Sequence, residues 1–216
     1  MGAGALPAVK PRLRGVSHQY AFVVAIAAGA VLVALAPAGR IRAACAVYAV
    51  SLCAMLGASA LYHRVDWPAA LGRWMRRLDH AMIYVLIAGT FTPFAVALLG
   101  GTLRTVILAV AWGGAVAGIV LALCWIDAPR WLAAGVYVAL GWVGIATFPE
   151  ILSNGGAGAA ALVASGGLLY TAGAVVYARR RPDPRPAVFG FHEVFHVLVL
   201  VAAAAHYAAV AAYVVA

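Results

Sequence analysis

The chain has 216 residues, 66% of them hydrophobic and only 10% charged, against roughly 25% charged in ordinary soluble domains. A soluble protein of this size exposes too much surface to hide so much apolar side chain, which excludes a soluble enzyme, a disordered tail and a DNA-binding domain. The formal net charge of +9 comes from Lys and Arg in short connecting segments, so the expected partner is anionic membrane lipid and not nucleic acid.

Seven long apolar runs predict an all-α polytopic membrane protein, a single seven-helix transmembrane domain over residues 1–216. The spans are 18–36, 43–63, 78–99, 103–125, 130–149, 158–178 and 189–216. They are apolar on every face and too long for barrel strands, which alternate polar with apolar. Lys10, Arg12 and Arg14 precede the first run. Its end, Ala34-Leu35-Ala36, resembles a signal-peptide cleavage site, but Pro37 follows at once and the run is long enough to span, so the helix is expected to stay. His18 reads as an interfacial residue at the start of this span. The second run carries Cys45 and Cys53 and ends in Ser59-Ala60-Leu61-Tyr62-His63.

Residues 67–77 set Trp67, Leu71, Trp74 and Met75 against Arg73, Arg76 and Arg77. This pattern fits either a short amphipathic helix at the headgroups or a packed loop with Trp anchors. The third span opens with Leu78-Asp79-His80, and Pro93 should bend its outer half, with Thr90 and Thr92 positioned to satisfy freed carbonyls. Gly113, Gly114 and Gly118 in the fourth favour close helix approach. Ser153-Asn154-Gly155-Gly156 separates the fifth span from the sixth, and Arg181-Pro182-Asp183-Pro184 precedes the seventh, which opens with His192-Glu193-Val194-Phe195-His196 and carries His206. Cys45, Cys53 and Cys124 are odd in number and lack metal-ligand spacing, so they read as reduced packing residues.

With seven spans, the N-terminus and the second, fourth and sixth connections share one side and carry twelve Lys and Arg; the other side carries three. The positive-inside rule puts the N-terminus in the cytoplasm and the C-terminus outside. Chain parity puts the end of the second span and the beginnings of the third and seventh on that same cytoplasmic face. Three polar clusters, each costly in lipid, therefore meet there.

Ser59 and His63 lie four residues apart on one helix face, as do His192 and His196, a common way to present imidazoles to one metal. His63, His192 and His196 would supply three neutral nitrogens to zinc and leave a fourth position for water. Asp79 would accept a hydrogen bond from that water or occupy the position itself. Ser59 could orient a ligand or a substrate carbonyl. His80 points about 100° away from Asp79 around the helix, and His206 lies about 15 Å beyond His196, so neither joins the same metal.

Three motifs carry a family resemblance. Ser59-x3-His63, Leu78-Asp79-His80-Ala81-Met82-Ile83-Tyr84 with Ala88-Gly89-Thr90-Phe91-Thr92-Pro93-Phe94, and Phe189-Gly190-Phe191-His192-Glu193-Val194-Phe195-His196 resemble the bacterial haemolysin III family. That family is related to the progestin and adipoQ receptors, among them the adiponectin receptors, and more distantly to alkaline ceramidases. The resemblance covers nearly the whole chain. It implies a multi-pass protein of a bacterial plasma membrane with zinc near the cytoplasmic leaflet, held by His63, His192 and His196, with Asp79 at the zinc-bound water and Ser59 as the accompanying hydroxyl. The long cytoplasmic N-terminal region of the adiponectin receptors has no counterpart here.

The chemistry expected of such a site is zinc-dependent hydrolysis of a lipid amide or ester, with a lipid or fatty acid as ligand inside the bundle. The alternative is a non-enzymatic sensor of membrane state with structural zinc. His192-Glu193-x-x-His196 also fits the His-Glu-x-x-His of metalloproteases; Glu193 reads instead as a group supporting the ligands or as a cytoplasmic-surface residue. A secreted haemolysin must first be soluble, which seven apolar spans forbid. The sequence assigns no oligomeric state.

Overall fold

The computed structural model describes residues 10–215, and these are helical throughout apart from short connections. Met1–Val9, the tip of the expected cytoplasmic N-terminus, and Ala216, the end of the expected seventh span, lie outside the described residues. The elements are α1 (Val16–Leu35), α2 (Arg40–Arg64), α3 (Ala69–Leu98), α4 (Gly101–Cys124), α5 (Arg130–Trp142), α6 (Phe148–Arg179) and α7 (Phe191–Val210). A 3₁₀ turn, Val143–Thr147, joins α5 to α6, and a π turn, Ala211–Val215, extends α7. No strand occurs among the described residues; the nearest approach is one isolated bridge between Arg185 and Phe189.

Six stretches are long and apolar enough to cross a membrane, and one of them, Arg130–Arg179, is 50 residues long. A straight helix of that length would reach about 75 Å, more than twice the hydrocarbon thickness. It is not straight. Gly156 has φ 77° and ψ 176°, which no helix accommodates and which glycine reaches without a Cβ clash. Trp142 Nε1, 14 residues before it, donates to Thr171 Oγ1, 15 residues after it, at 3.1 Å. The chain therefore folds back at Gly156, and α6 returns along α5.

Tyr48, Leu52, Met55, Phe94, Leu98, Val199 and Val210, from α2, α3 and α7, form the larger core; Tyr84, Ala88, Ala111, Ala115 and Leu140 form a smaller one between α3, α4 and α5. The large residues left exposed, such as Val24, Val31, Val116, Ile145 and Leu168, are apolar, as a bilayer requires and water does not. The Trp67–Arg77 segment merges into α3 from Ala69 onward, with Trp74 exposed and the Arg77 guanidinium 4.8 Å above its ring.

Of Gly113, Gly114 and Gly118 in α4, two permit close packing. A Cβ on Gly114 would lie 2.4 Å from Leu140 and one on Gly118 2.2 Å from the buried Tyr84 ring, whereas nothing lies within 4 Å of that position on Gly113. Gly118→Ala is expected to cost about 1–3 kcal/mol by overpacking, and Gly113→Ala to be neutral or slightly stabilising, as thermal melts in detergent will read. Thr90 and Thr92 donate to the carbonyls of Leu86 and Ala88, both at 2.8 Å. The carbonyl that Pro93 deprives of its N–H is that of Gly89, so these bonds lie before it and do not satisfy it.

Candidate metal centre

The site gathers where the end of α2, the first third of α3 and the start of α7 meet. His63 stands one residue before the end of α2, and His192 and His196 occupy the first two turns of α7. The Nε2 atoms of His63 and His192 are 3.1 Å apart, and one ligand nitrogen from each of His63, His192 and His196 lies within 4.8 Å of the others. The ring centroids are 4.8, 5.1 and 4.5 Å apart in pairs, steeply inclined to one another. Asp79 Oδ2 approaches His63 Nε2 to 3.8 Å.

These residues fit a cation. Two imidazole nitrogens bound about 2.05 Å from a tetrahedral ion sit about 3.3 Å apart, close to the His63–His192 spacing. His196 Nδ1 is buried with no hydrogen-bond partner among the described residues, an expensive condition for a polar atom in a membrane bundle. Three neutral nitrogens with one carboxylate nearby suit a borderline divalent ion better than Mg²⁺ or Ca²⁺, which take oxygen. His63, His192 and His196 could hold it, and Asp79 lies within reach of the remaining position.

Ser59 does not stand free beside the cluster. Its Oγ is 2.8 Å from Nδ1 of His18, and both residues are buried. His18 stacks on His196 with ring centroids 3.8 Å apart and planes inclined by only 11°. The interfacial reading of His18 is thus corrected: at 2% exposure it is part of the wall of the centre. Its position on the same membrane face was legible, but α1 is apolar all round, so nothing in its pattern told which face it buries.

Glu193 is not a surface group either. At 2% exposure it pairs with Arg14, and its Oε2 accepts the Gly190 amide at 2.7 Å, closing the N-terminus of α7. That arrangement fits a supporting role and leaves the carboxylate little freedom to act as a protease base. His80 faces Tyr177, with ring centroids 6.5 Å apart, and is not one of the three converging imidazoles. His206 lies deeper, Nε2 3.2 Å from the Val163 carbonyl. The cysteines are all free; Cys45 is buried, Cys53 half-buried and Cys124 exposed, so only the first is a full packing residue.

From this cluster a cavity of about 520 Å³ runs into the bundle. Its polar end is His18, Ser59, Asp79, His80, His192 and His196; beyond lie Leu86, Phe94, Val199, Leu99 and Ile151. Asp79 in α3 and Leu99 just after its end are 20 residues apart, so the cavity reaches about 30 Å along the bundle. Trp142, Ile145 and Leu168 line the cavity and are also exposed on the outer surface, which gives it an apolar side wall between α5 and α6.

A family model described as haemolysin-III related matches residues 7–207. The chain is 33% identical over 160 residues to a hemolysin-3 homolog of Bacillus subtilis (strain 168), covering 74% of this chain and 71% of that protein. It is 33% identical over 133 residues to hemolysin-3 of Bacillus cereus, with 61% and 59% covered. To the heptahelical transmembrane protein ADIPOR2 of Oryza sativa subsp. japonica it is 36% identical over 149 residues, with 62% and 65% covered. The last two matches span less than two thirds of those proteins. No solved structure matches the chain. An all-helical bundle with buried imidazoles on its second and last apolar stretches, matched along nearly its whole length, is thus a member of the haemolysin-III-related family.

Proposed function

We propose that this protein is a seven-span zinc enzyme of the bacterial plasma membrane that hydrolyses an amide or ester bond of a membrane lipid. The observation carrying this reading is the continuity of the imidazole cluster, through His192 and His196, with a long apolar cavity: one end suits a metal-assisted reaction, the other an acyl chain. The reversal at Gly156 supports two spans within Arg130–Arg179, hence seven in all, and a relative named heptahelical supports the same count. Twelve Lys and Arg against three support a cytoplasmic N-terminus and an extracytoplasmic C-terminus.

Zinc, held by His63, His192 and His196, would supply a Lewis acid and acidify water at the site. Asp79 takes the proton as water adds to the acyl carbonyl and returns it to the leaving amine or alcohol as the C–N or C–O bond breaks. Ser59, fixed by His18, borders the cavity and orients the carbonyl. The apolar walls bind the acyl chain and keep bulk water out. The thin wall between α5 and α6 offers lateral access from the bilayer.

The test is single-turnover cleavage of N-acyl and O-acyl lipids by purified protein in nanodiscs, with and without chelator, beside elemental analysis. Chelator-sensitive release of fatty acid is expected; absence of zinc together with absence of any chelator effect overturns the reading. Thr90 lines the cavity about 16 Å from Asp79 along α3. Thr90→Phe is expected to depress cleavage of long-chain substrates about tenfold while sparing short-chain ones, since a short chain does not reach that depth.

A second reading is favoured by one distance. Asp79 Oδ2 at 3.8 Å from His63 Nε2 is close enough to complete a closed His₃Asp site, which would bolt α2, α3 and α7 together in a sensor without turnover. Zinc bound at one per chain, with no exchangeable water and no hydrolysis, would favour that alternative.

A further inference from the structure

Residues 10–18 cross the mouth of the metal centre. Lys10 Nζ meets Asp66 Oδ1 at 3.0 Å, just beyond the end of α2. The amides of Arg12 and Leu13 donate to the carbonyls of Ala187 and Val188, both at 3.1 Å, in the connection before α7. Arg14 pairs with buried Glu193, the residue between His192 and Val194 that also caps α7. Gly15, at φ 77°, lies so close that a Cβ there would sit 2.5 Å from the His63 Cβ. One turn later His18 stacks on His196 and bonds Ser59. Residues 10–18 thus touch both chain segments that supply imidazoles, and they touch them at or next to the ligands themselves.

We infer that this segment is a strap that completes the metal centre, with Arg14 and His18 as positioning residues that hold the α2 and α7 imidazoles convergent and close the site toward the flanking aqueous face. The physical argument has two parts. Imidazoles bind a metal well only when their orientation is fixed by neighbours, and the ring of His196 is fixed from one side by the parallel His18 ring. The start of α7 is fixed by Glu193, whose buried charge is tolerable because Arg14 neutralises it. A left-handed glycine at residue 15 is what lets the strap lie against His63; a side chain there would both strain the backbone and strike the ligand. This inference rests on the proposed metal site but not on hydrolysis.

The experiment measures metal release from full-length protein in nanodiscs into excess chelator, and the visible spectrum of the cobalt(II)-loaded protein. His18→Ala and Arg14→Gln are expected to speed release about tenfold or more and to alter the cobalt bands, as loss of groups that orient ligands does. His18→Phe, which keeps the stack and loses the Ser59 bond, should restore slow release. Because Arg14→Gln strands a buried carboxylate and could unfold the start of α7, a second arm works on the intact ion pair. Cysteines replacing Arg12 and Ala187, neighbours through a backbone hydrogen bond, are joined by oxidation. Release should slow when the disulfide forms and return to the parental rate on reduction. Metal bound by the parent but released at the same rate from all variants, oxidised and reduced, overturns the strap alone. No metal bound by the parent overturns the centre and the strap together. Metal retained while lipid turnover is absent overturns the hydrolase reading and leaves the strap to be judged by the release rates.

Discussion

Replacing His196 by alanine is expected to strip the metal from the protein and to abolish any chelator-sensitive lipid cleavage. His196 is one of three converging imidazoles and is fully enclosed; the His18 ring lies parallel to it, turns its Nδ1 to Ser59 and is not one of the three. Apparent binding energies of structural zinc are about 10–16 kcal/mol, so one ligand of three or four is worth about 4 kcal/mol, a loss near a thousandfold in affinity. Elemental analysis should fall from about one zinc per chain to background, with His63→Ala behaving alike. His206→Ala is the control, a histidine on the same helix about 15 Å deeper, and should keep its metal. A second readout is independent of turnover. An ion bound only by the native state stabilises it, so chelator should lower the melting temperature of the parent and leave that of His196→Ala unmoved. Parental zinc content in His196→Ala would remove the centre from consideration.

The residues of this centre were legible in the sequence to different depths, for physical reasons. Helix periodicity and chain parity depend only on spacing and on the number of crossings, so the approach of His63, Asp79, His192 and His196 at one face could be reasoned without coordinates. Rotation about a helix axis is different: it is readable only where polar and apolar faces contrast, and α1 has none. His18 could therefore be placed at the right height but not turned toward His196. Arg14 was legible as a positive charge before the first span, and its burial against Glu193 was not, because an ion pair 179 residues apart leaves no local pattern. Gly156 shows the reverse case. A glycine-rich break was visible in sequence, but that the chain turns back there is shown by the non-helical angles of Gly156 together with the Trp142–Thr171 bond.

Asp79→Asn and Glu193→Gln should part company. Each removes one charge, keeps size and shape, and alters a carboxylate near the same imidazoles. Asp79 borders the cavity and faces His63; Glu193 faces Arg14 and the α7 cap. If Asp79 moves the proton of the attacking water, its amide cannot, and kcat should fall about 10²–10⁴-fold while metal stays bound. Glu193→Gln keeps an acceptor for the Gly190 amide and loses the ion pair, so turnover should fall only as metal occupancy falls, and each metal-loaded molecule should work within about tenfold of the parent rate. The opposite pattern, Glu193→Gln dead with metal in place and Asp79→Asn active, would make this a His-Glu-x-x-His enzyme despite the buried arginine contact. If instead Asp79→Asn loses the ion outright, the carboxylate is a fourth ligand. The proton would then have no acceptor at the site, and the bolt that joins α2, α3 and α7 becomes the better account of why these groups are buried together.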